Sequence, residues 1–261
     1  MISKVGFIGG GALTESIVRG ICGKVFAPND IFVAEVRPER RDELKNLFGV
    51  NVSAAANFLD TVDMLIVAVK PKDAAQVFAQ LQCKVPEQTL VTYTVAGLKL
   101  SVVEKILPAN KIVRLMPNVA VSVGESMTAF ATNELARGDA NAVQNFWSML
   151  GRAVEVDERL MDAVTGLSGS GPAYAFVVID ALADGGVACG LPRAMAIELA
   201  AQTLLGAAKM VLAGSHPDVL RDKVTSPAGT TIEGVRVLER GGVRSSMIEA
   251  VIAATNKSRS L

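Results

Sequence analysis

Residues Val5–Thr14 read VGFIGGGALT, a short apolar run that breaks into three consecutive glycines and then continues as a helical pattern. Such a run predicts a strand, a tight turn and a helix. Gly9 allows the chain to leave the strand at a φ that a Cβ would disfavour, and Gly11 allows the backbone to approach a pyrophosphate at the helix N-terminus. The stretch therefore matches the dinucleotide fingerprint G-x-G-x-x-G, except that Thr14 stands at the third glycine.

A glycine-rich turn that only joins a strand to a helix is the alternative explanation. The residues that follow favour a nucleotide, because a second predicted strand, Ile31–Ala34, ends in the acidic Glu35 at the distance that the fingerprint expects. A carboxylate there accepts the ribose hydroxyls of NADH and repels the 2′-phosphate of NADPH. Arg37, Arg40 and Arg41 follow and offer positive charge to that phosphate. These opposed charges predict that both dinucleotides are used.

Length and composition limit the classes of protein that the chain can belong to. Its 261 residues favour two domains. Lys plus Arg equals Asp plus Glu at 26 each, so we expect no nucleic acid as a partner. No stretch reaches the roughly 18 uncharged residues of a membrane span, and the N-terminus has no signal-peptide pattern. We therefore expect no membrane association and a cytoplasmic location. Cys22, Cys83 and Cys189 are far apart, which predicts reduced core thiols and no metal site.

Strand and helix patterns alternate through the first part of the chain. The nearly all-apolar run Val62–Val69 is typical of a strand buried on both faces of a parallel sheet. Ligands bind outside the carboxyl ends of the strands in such a sheet, so the loops at 68–71, 94–97 and 116–118 are expected to share one edge with the glycines. The predicted strands are Ile31–Ala34, Val62–Val69, Thr89–Tyr93, Lys111–Leu115 and Ser126–Thr132, and the predicted helices are Ala12–Val25, Arg40–Phe48, Asp73–Leu81 and Ser101–Ile106.

Strand signals disappear near residue 161, and the rest of the chain reads as helix or loop. We therefore predict a Rossmann-like α/β domain with a mostly parallel sheet over residues 1–162, followed by an all-α domain over residues 163–261. A helix predicted from Pro172 to Ala188 is apolar on all sides, and roughly 100 residues cannot cover it alone. We expect a second copy of the chain to cover it, in a homodimer that allows a higher oligomer of dimers. A membrane helix is the alternative, which Asp180 and Asp184 disfavour.

A second informative stretch, Val224–Glu233, reads VTSPAGTTIE. Small hydroxyl residues cluster there in a loop with proline and glycine that opens a helix. Free N–H groups at a helix N-terminus, with hydroxyls beside them, hold a carboxylate without a formal positive charge. The alternative is a capping loop that binds nothing.

Several short motifs give the chain a family resemblance. In order behind the glycine stretch, the chain carries Ala68-Val69-Lys70-Pro71, Met116-Pro117-Asn118, Gly166-Leu167-Ser168-Gly169-Ser170-Gly171-Pro172-Ala173-Tyr174, Gly190-Leu191-Pro192-Arg193 and the loop from Ser226 to Thr231. Over essentially its whole length the chain resembles the pyrroline-5-carboxylate reductases. That family reduces the C=N bond of 1-pyrroline-5-carboxylate to L-proline in the last step of proline biosynthesis, with NADPH or NADH, and its helical domains interlock as a dimer.

The resemblance implies roles for particular residues. It implies that Ser226, Gly229 and Thr230 hold the substrate carboxylate and that the catalytic Thr231 lies beside the ring nitrogen. It also implies NADPH as the preferred cofactor, with NADH possible. The implied cofactor residues are Ile8, Gly9, Gly10, Gly11, Ala12, Leu13, Ala68, Val69, Lys70, Pro71, Val95, Ala96 and Gly97, joined by Glu35 and Arg37 from the residue argument above. Thr14, Ala228 and Glu35 depart from the family pattern, which more often has alanine, glycine and a neutral polar residue there.

The residue chemistry agrees with imine reduction. Dehydrogenases that act on alcohols need a proton shuttle, usually His or Lys, yet no lysine or histidine occurs from Ile112 to Ala208. The one histidine, His216, is interpreted as a solvated turn residue, and Tyr174 as a structural group. An imine that is positioned against the hydride needs only one hydrogen bond to its nitrogen, which a hydroxyl supplies. Two alternatives stay open: a hydroxyacid dehydrogenase with the same two-domain plan, and a non-catalytic dinucleotide-binding module.

Overall fold

The fold was analysed in a computed structural model, which describes residues 2–260. The strands are β1 Val5–Ile8, β2 Ile31–Ala34, β3 Asn51–Ser53, β4 Met64–Val67, β5 Leu90–Tyr93, β6 Lys111–Met116, β7 Ser126–Thr132 and β8 Gly151–Glu155. The helices are α1 Ala12–Ile21, α2 Pro38–Phe48, α3 Pro71–Leu81, α4 Leu100–Ile106, α5 Ala140–Ser148, α6 Met161–Val164, α7 Gly171–Ala188, α8 Arg193–Leu212, α9 Pro217–Lys223, α10 Thr230–Arg240 and α11 Val243–Arg259. A π-helical turn, Thr165–Gly169, lies between α6 and α7.

All eight strands form one sheet in the order β3-β2-β1-β4-β5-β6-β7-β8. Neighbouring strands run parallel except at the β6–β7 pair, which is antiparallel. The sheet is buried on both faces, because Met64 and Ile66 of β4 join one apolar cluster and Leu65 and Val67 join the other. This confirms the predicted Rossmann-like, mostly parallel sheet.

Several predicted boundaries were wrong, and the reasons are local. Helix α1 ends at Ile21 instead of Val25, because Gly23 adopts a positive φ of 72° and turns the chain. Helices α2 and α3 start two residues earlier than predicted, since Pro38 and Pro71 stand in the first turn, where a missing N–H costs nothing. The strand predicted over Val62–Val69 spans only Met64–Val67, as β4. Strands β3 and β8 and helix α5 were not predicted.

The chain divides into two compact units, residues 2–170 with 253–260, and Gly171–Ile252. The predicted domains, 1–162 and 163–261, differ from this division at both ends. The last turns of α11 belong to the first unit because Ser258 is buried there and its Oγ donates a hydrogen bond to Asp162 Oδ1 at 2.8 Å. No sequence periodicity signals a bond between residues so far apart along the chain.

Helices make up the second unit, and α7 packs against α8. Gly186 permits the close approach, because a Cβ there would lie 3.1 Å from the Cβ of Ala196. As expected, α7 is apolar all round, yet within this chain only Ala183 of α7 is buried. Phe176 and Val177 are 62% and 68% exposed, so the chain itself leaves this apolar surface uncovered.

Two helical segments of the described chain are long and apolar enough to cross a membrane, by length and composition alone: Glu158–Ala188 and Arg193–Leu212. Both segments contain charged residues, so neither is the uncharged stretch of about 18 residues that the sequence was expected to lack.

The cysteines only partly match the prediction of core thiols. All three are free, but Cys83 and Cys189 are exposed, because they lie in the turns just after α3 and α7. Cys22 alone is half-buried, and its Sγ donates a weak hydrogen bond to Phe48 O at 3.6 Å. Burial raises the pKa of the Cys22 thiol, which keeps it protonated.

Candidate active site

The carboxyl ends of four parallel strands lie in register at one edge of the sheet. Ile8 of β1 pairs with Ala34 of β2 and with Val67 of β4, and Val67 pairs with Tyr93 of β5. The loops that follow are joined to these ends by backbone hydrogen bonds, such as Ala68 N to Ile8 O at 2.9 Å. The predicted cofactor residues of the four segments are thus brought to one edge, as the parallel sheet requires.

The glycine loop has the predicted backbone geometry. Gly9 has a φ of 96°, and a Cβ at this position would lie 2.5 Å from Ala68 O. Gly11 precedes α1 without a side-chain cap, and a Cβ there would have no atom within 4 Å. The start of α1 is therefore open beside Gly11, as the predicted pyrophosphate site requires. Thr14 replaces the third glycine without loss, because it is buried and its Oγ1 donates to Gly9 O at 2.6 Å.

Both backbone polar groups of Gly10, its N–H and its carbonyl, form hydrogen bonds with side chains of the segment that runs from β2 into α2. Its N–H donates to Glu35 Oε2 at 2.9 Å, and its carbonyl oxygen accepts a bond from Arg40 Nε at 2.6 Å. Arg40 also pairs with Glu15 in the first turn of α1 at 2.6 Å. The phosphate loop is therefore fixed by charged side chains that lie about 25 to 30 residues further along the chain. This role of Arg40 is not predictable from the sequence, because only the folded chain brings its guanidinium to Gly10.

Glu35 faces the interior. Only 6% of its side chain is exposed, and besides Gly10 it accepts hydrogen bonds from the backbone N–H and the Nε of Arg37. Burial raises the pKa of Glu35, but the bonds from Arg37 and Gly10 together outweigh burial and hold the pKa below its usual value. The carboxylate is therefore ionised and already paired within the protein.

The three arginines after β2 differ in how they are engaged. Arg40 is fixed in the loop, and Arg41 Nη1 donates to the carbonyls of Glu35 and Val36 at 3.1 and 2.8 Å. Arg37 is 61% exposed and pairs with Glu35 at 3.1 Å. Arg37 is thus the arginine of this group whose guanidinium extends furthest into solvent.

The other predicted cofactor residues follow β4 and β5 at the same edge of the sheet. Ala68 and Val69 are partly buried, and Lys70 and Pro71 are exposed at the start of α3. Val95 is buried, and Gly97 has a φ of 74°, a conformation that favours glycine. Two open cavities of about 460 and 600 Å³ lie elsewhere in this unit and include none of these residues.

In the helical unit, the Ser226–Thr231 loop closes in a tight turn. Gly229 N donates to Ser226 O at 3.0 Å, with Pro227 and Ala228 at the two central positions. Ala228 has a φ of 56°, which favours the glycine that the family more often carries and costs alanine roughly 1 kcal/mol. A Cβ at Gly229 would meet Ser226 Oγ and lie 3.2 Å from Ser226 O, so a side chain there would make the Ser226 hydroxyl turn away.

This turn leads into α10, whose N-terminus has the properties of an anion site. Helix α10 begins at Thr230, and Gly229 precedes it without a side-chain cap. Within the described residues, the hydroxyls of Ser226, Thr230 and Thr231 make no hydrogen bond, and all three residues are exposed. Unused amides and three hydroxyls therefore meet at one exposed helix start. The structure thus brings the four predicted substrate residues together.

Groups that the sequence argument set aside have structural roles. His216 lies at the exposed start of α9, where its Nδ1 accepts a hydrogen bond from Asp218 N at 3.3 Å. Asp184 pairs with Arg193, and Tyr174 OH donates to Ala250 O at 3.4 Å. No group of three or more His, Cys, Asp or Glu residues able to hold a metal ion occurs among residues 2–260.

A parallel sheet with an uncapped glycine loop at its carboxyl edge, followed by a helical unit, is the plan of a two-domain dinucleotide-dependent oxidoreductase. Comparison with known proteins agrees. Residues 4–96 match the family model described as NADP oxidoreductase, coenzyme F420-dependent, and residues 158–261 match the model for pyrroline-5-carboxylate reductase dimerisation.

Relatives that match the chain over its full length show which family of oxidoreductases it belongs to. The chain is 46% identical to a pyrroline-5-carboxylate reductase of Synechocystis sp., over 100% of this chain and 99% of the relative. The solved structure of a pyrroline-5-carboxylate reductase from Coxiella burnetii superposes with a TM-score of 0.89 at 33% identity, covering 99% and 98% of the two chains. The Plasmodium falciparum enzyme, solved with NADP bound, has a TM-score of 0.88 at 29% identity, covering 98% and 97%. The chain belongs to the pyrroline-5-carboxylate reductase family.

The family model also bears on the uncovered helices. The dimerisation model spans α7 and α8 and supports the predicted homodimer, and burial of their exposed apolar faces in its interface stays a prediction. The cytoplasmic location, the lack of membrane association and a higher oligomer of dimers stay predictions.

Proposed function

We propose that this chain reduces the C=N bond of 1-pyrroline-5-carboxylate to L-proline, with NADPH as the preferred cofactor and NADH as a second one. The observation that carries this proposal is the uncapped start of α10, where three unpaired hydroxyls meet free helix amides in a member of a reductase family. A cyclic imine that bears a carboxylate is the substrate class that such a site recognises.

The cofactor fits the first unit. The N–H groups at the start of α1, beside the space over Gly11, would hold its pyrophosphate. Val95–Gly97 and Ala68–Pro71 would border its nicotinamide half at the same edge. When bound, the nicotinamide supplies the hydride that adds to the imine carbon, and the ring nitrogen takes up a proton.

The loop in the helical unit positions the substrate. The amide of Thr230 and the hydroxyl of Ser226 bind the carboxylate, while Gly229, whose N–H closes the turn onto Ser226 O, lets the carboxylate approach the helix start. Carboxylate and C=N bond are fixed relative to each other in the five-membered ring, so holding one end orients the other. Thr231, the second residue of α10, then donates its hydroxyl hydrogen bond to the ring nitrogen and draws electron density from the imine carbon.

The basic test is oxidation of NADPH by the purified protein with pyrroline-5-carboxylate, compared with a panel of hydroxyacids and keto acids. Turnover with the imine alone supports the proposal. Turnover only with hydroxyacids would favour a hydroxyacid dehydrogenase, and binding of NADPH without any turnover would favour a non-catalytic module.

Thr231→Ala is expected to lower kcat/KM for the imine by about 5- to 150-fold, because it removes one hydrogen bond worth roughly 1–3 kcal/mol in the transition state. The dissociation constant for NADPH should stay unchanged, since the glycine loop belongs to the other unit. Thr231→Ser should retain most of the rate. Thr61→Ala removes the same hydroxyl and methyl groups from a threonine in an exposed loop and serves as the matched control. Full activity in Thr231→Ala would show that this threonine does not contact the reacting nitrogen.

Cofactor preference is expected to depend on Arg37. Because Glu35 is buried and paired, it does not select NADH, and the exposed Arg37 guanidinium is available to the 2′-phosphate. Arg37→Ala should therefore lower the NADPH-to-NADH ratio of kcat/KM by about tenfold, the loss of one partly exposed charge pair. The matched control is Arg137→Ala, which removes an arginine that pairs with Glu134 at 2.7 Å on an exposed surface. An unchanged ratio would place the phosphate elsewhere.

A further inference from the structure

The helical run that contains Pro172 has a defect in its hydrogen bonding. From Glu158 to Ala188 the chain is helical, but it includes the π turn Thr165–Gly169, closed by Ser170 N donating to Thr165 O at 2.9 Å. Pro172 has no N–H, so the carbonyl of Ser168, four residues earlier, receives no helical hydrogen bond from it. An unpaired carbonyl within a helix costs free energy when it is shielded from water.

Asn118 provides a side-chain donor to the Ser168 carbonyl, to which Pro172 cannot donate. Its Nδ2 donates to Ser168 O at 3.1 Å, across fifty residues of chain. The orientation of its amide is fixed, because its Oδ1 accepts from Ala120 N at 3.1 Å and its backbone N–H donates to Ser126 Oγ at 3.2 Å. Both ends of the side chain therefore have partners of opposite character, which excludes the flipped amide.

Asn118 lies at the edge of the sheet where the cofactor loops are found. It follows β6 and Pro117, and β6 is in register with β5 through the pair Tyr93 and Arg114. The loop that leaves β6 is therefore next to the loop that leaves β5, which contains Val95–Gly97. Ser168 is further held there by its Oγ, which donates to Met127 O at 3.4 Å.

We propose that Asn118 is a positioning residue for the reductase reaction: its amide replaces the helical hydrogen bond that Pro172 cannot make, and so fixes the π turn Thr165–Gly169 against the carboxyl edge of the sheet. The expected effect on kcat rests on the proposed function, whereas the hydrogen bond from Asn118 to Ser168 does not. Neither rests on any contact of Asn118 with substrate or cofactor. Loss of the amide should loosen the π turn and the β6 loop together, and so disturb the orientation of the reacting groups more than cofactor binding.

The test compares Asn118→Ala with the unmutated enzyme. We expect kcat to fall about tenfold, the effect of one lost hydrogen bond and two unpaired partners, while the NADPH dissociation constant changes less than about twofold. Asn51→Ala is the matched control, because Asn51 also donates to two backbone carbonyls, of Asn29 and Ile31, but at the outer strand β3. It should lower stability with kcat unchanged.

Pro172→Ala separates positioning from a general loss of stability. The new N–H at residue 172 can donate to Ser168 O, so Asn118→Ala in this background should lower kcat less than about threefold. A kcat within about twofold of the unmutated value in Asn118→Ala, or a loss of equal size in both backgrounds, would overturn the proposal. If the unmutated protein does not reduce the imine, the proposed function fails. In that case amide hydrogen exchange still tests the hydrogen bond to Ser168. Exchange at residues 165–170 that is faster in Asn118→Ala, but not in the double variant with Pro172→Ala, would support the bond. Unchanged exchange in Asn118→Ala would overturn the proposal.

Discussion

Replacement of Arg114 by methionine is expected to lower the free energy of unfolding by about 3 kcal/mol, the low end of the cost of breaking a buried ion pair. Arg114 stands on the central strand β6 with 3% of its side chain exposed, and its Nη1 lies 3.1 Å from Glu158 Oε1. Its Nη2 lies 3.9 Å from Asp162 Oδ1. Methionine keeps the apolar stem but leaves both carboxylates without their cation. They stay about a quarter exposed, so hydration limits the loss.

The measurement is urea unfolding at one fixed protein concentration, because dimerisation makes stability depend on concentration. Arg137→Met is the control, since Arg137 and Glu134 are both about three-quarters exposed and such pairs contribute little. Arg114→Met combined with Glu158→Gln should recover part of the loss, because the unpaired carboxylate is then gone. A loss below about 1 kcal/mol in Arg114→Met would show that the buried guanidinium is not stabilising.

Gly9→Ala is expected to weaken NADPH binding by about 100-fold, which corresponds to roughly 3 kcal/mol. Alanine at a φ of 96° is strained, and its Cβ would lie 2.5 Å from the carbonyl oxygen of Ala68, a backbone atom that cannot rotate away. The loop must therefore shift, and its amides no longer converge on the pyrophosphate. The dissociation constant is measured by fluorescence or calorimetry and the stability by urea unfolding, and we expect both to be affected.

Two further glycines test the reasoning behind this prediction. A Cβ at Gly11 would have no protein atom within 4 Å, so Gly11→Ala should weaken NADPH binding by filling the phosphate space while leaving stability unchanged. Gly138 is also open and lies outside the loop, so Gly138→Ala should change neither quantity. Equal NADPH affinity in Gly9→Ala and Gly138→Ala would show that the loop does not bind the dinucleotide.

Local patterns predicted most of the sheet and the candidate binding loops. Apolar runs predicted β2, β4, β5, β6 and β7, and the parallel arrangement of β2, β4, β5 and β6 placed their carboxyl ends together without knowledge of side-chain contacts. The three residues of β3 and the exposed strand β8 escaped prediction because short or solvent-facing strands carry little hydrophobic signal. The loop Ser226–Thr231 was recognised as a candidate carboxylate site because its proline and glycine predict a turn and its hydroxyl residues stand at the start of a helix.

What the sequence determined by itself was therefore the class of fold, the glycine loop and the helix start that suits a carboxylate, since these depend on the conformational freedom of single residues and on helix ends. Tertiary structure alone decided what the charged and amide side chains do. Glu35 and Arg40 brace Gly10, Arg114 is buried between two acids, and Asn118 reaches Ser168. Each of these partners lies 25 or more residues away in the chain, where no periodicity extends, and only the packing of the folded sheet brings them within hydrogen-bond distance.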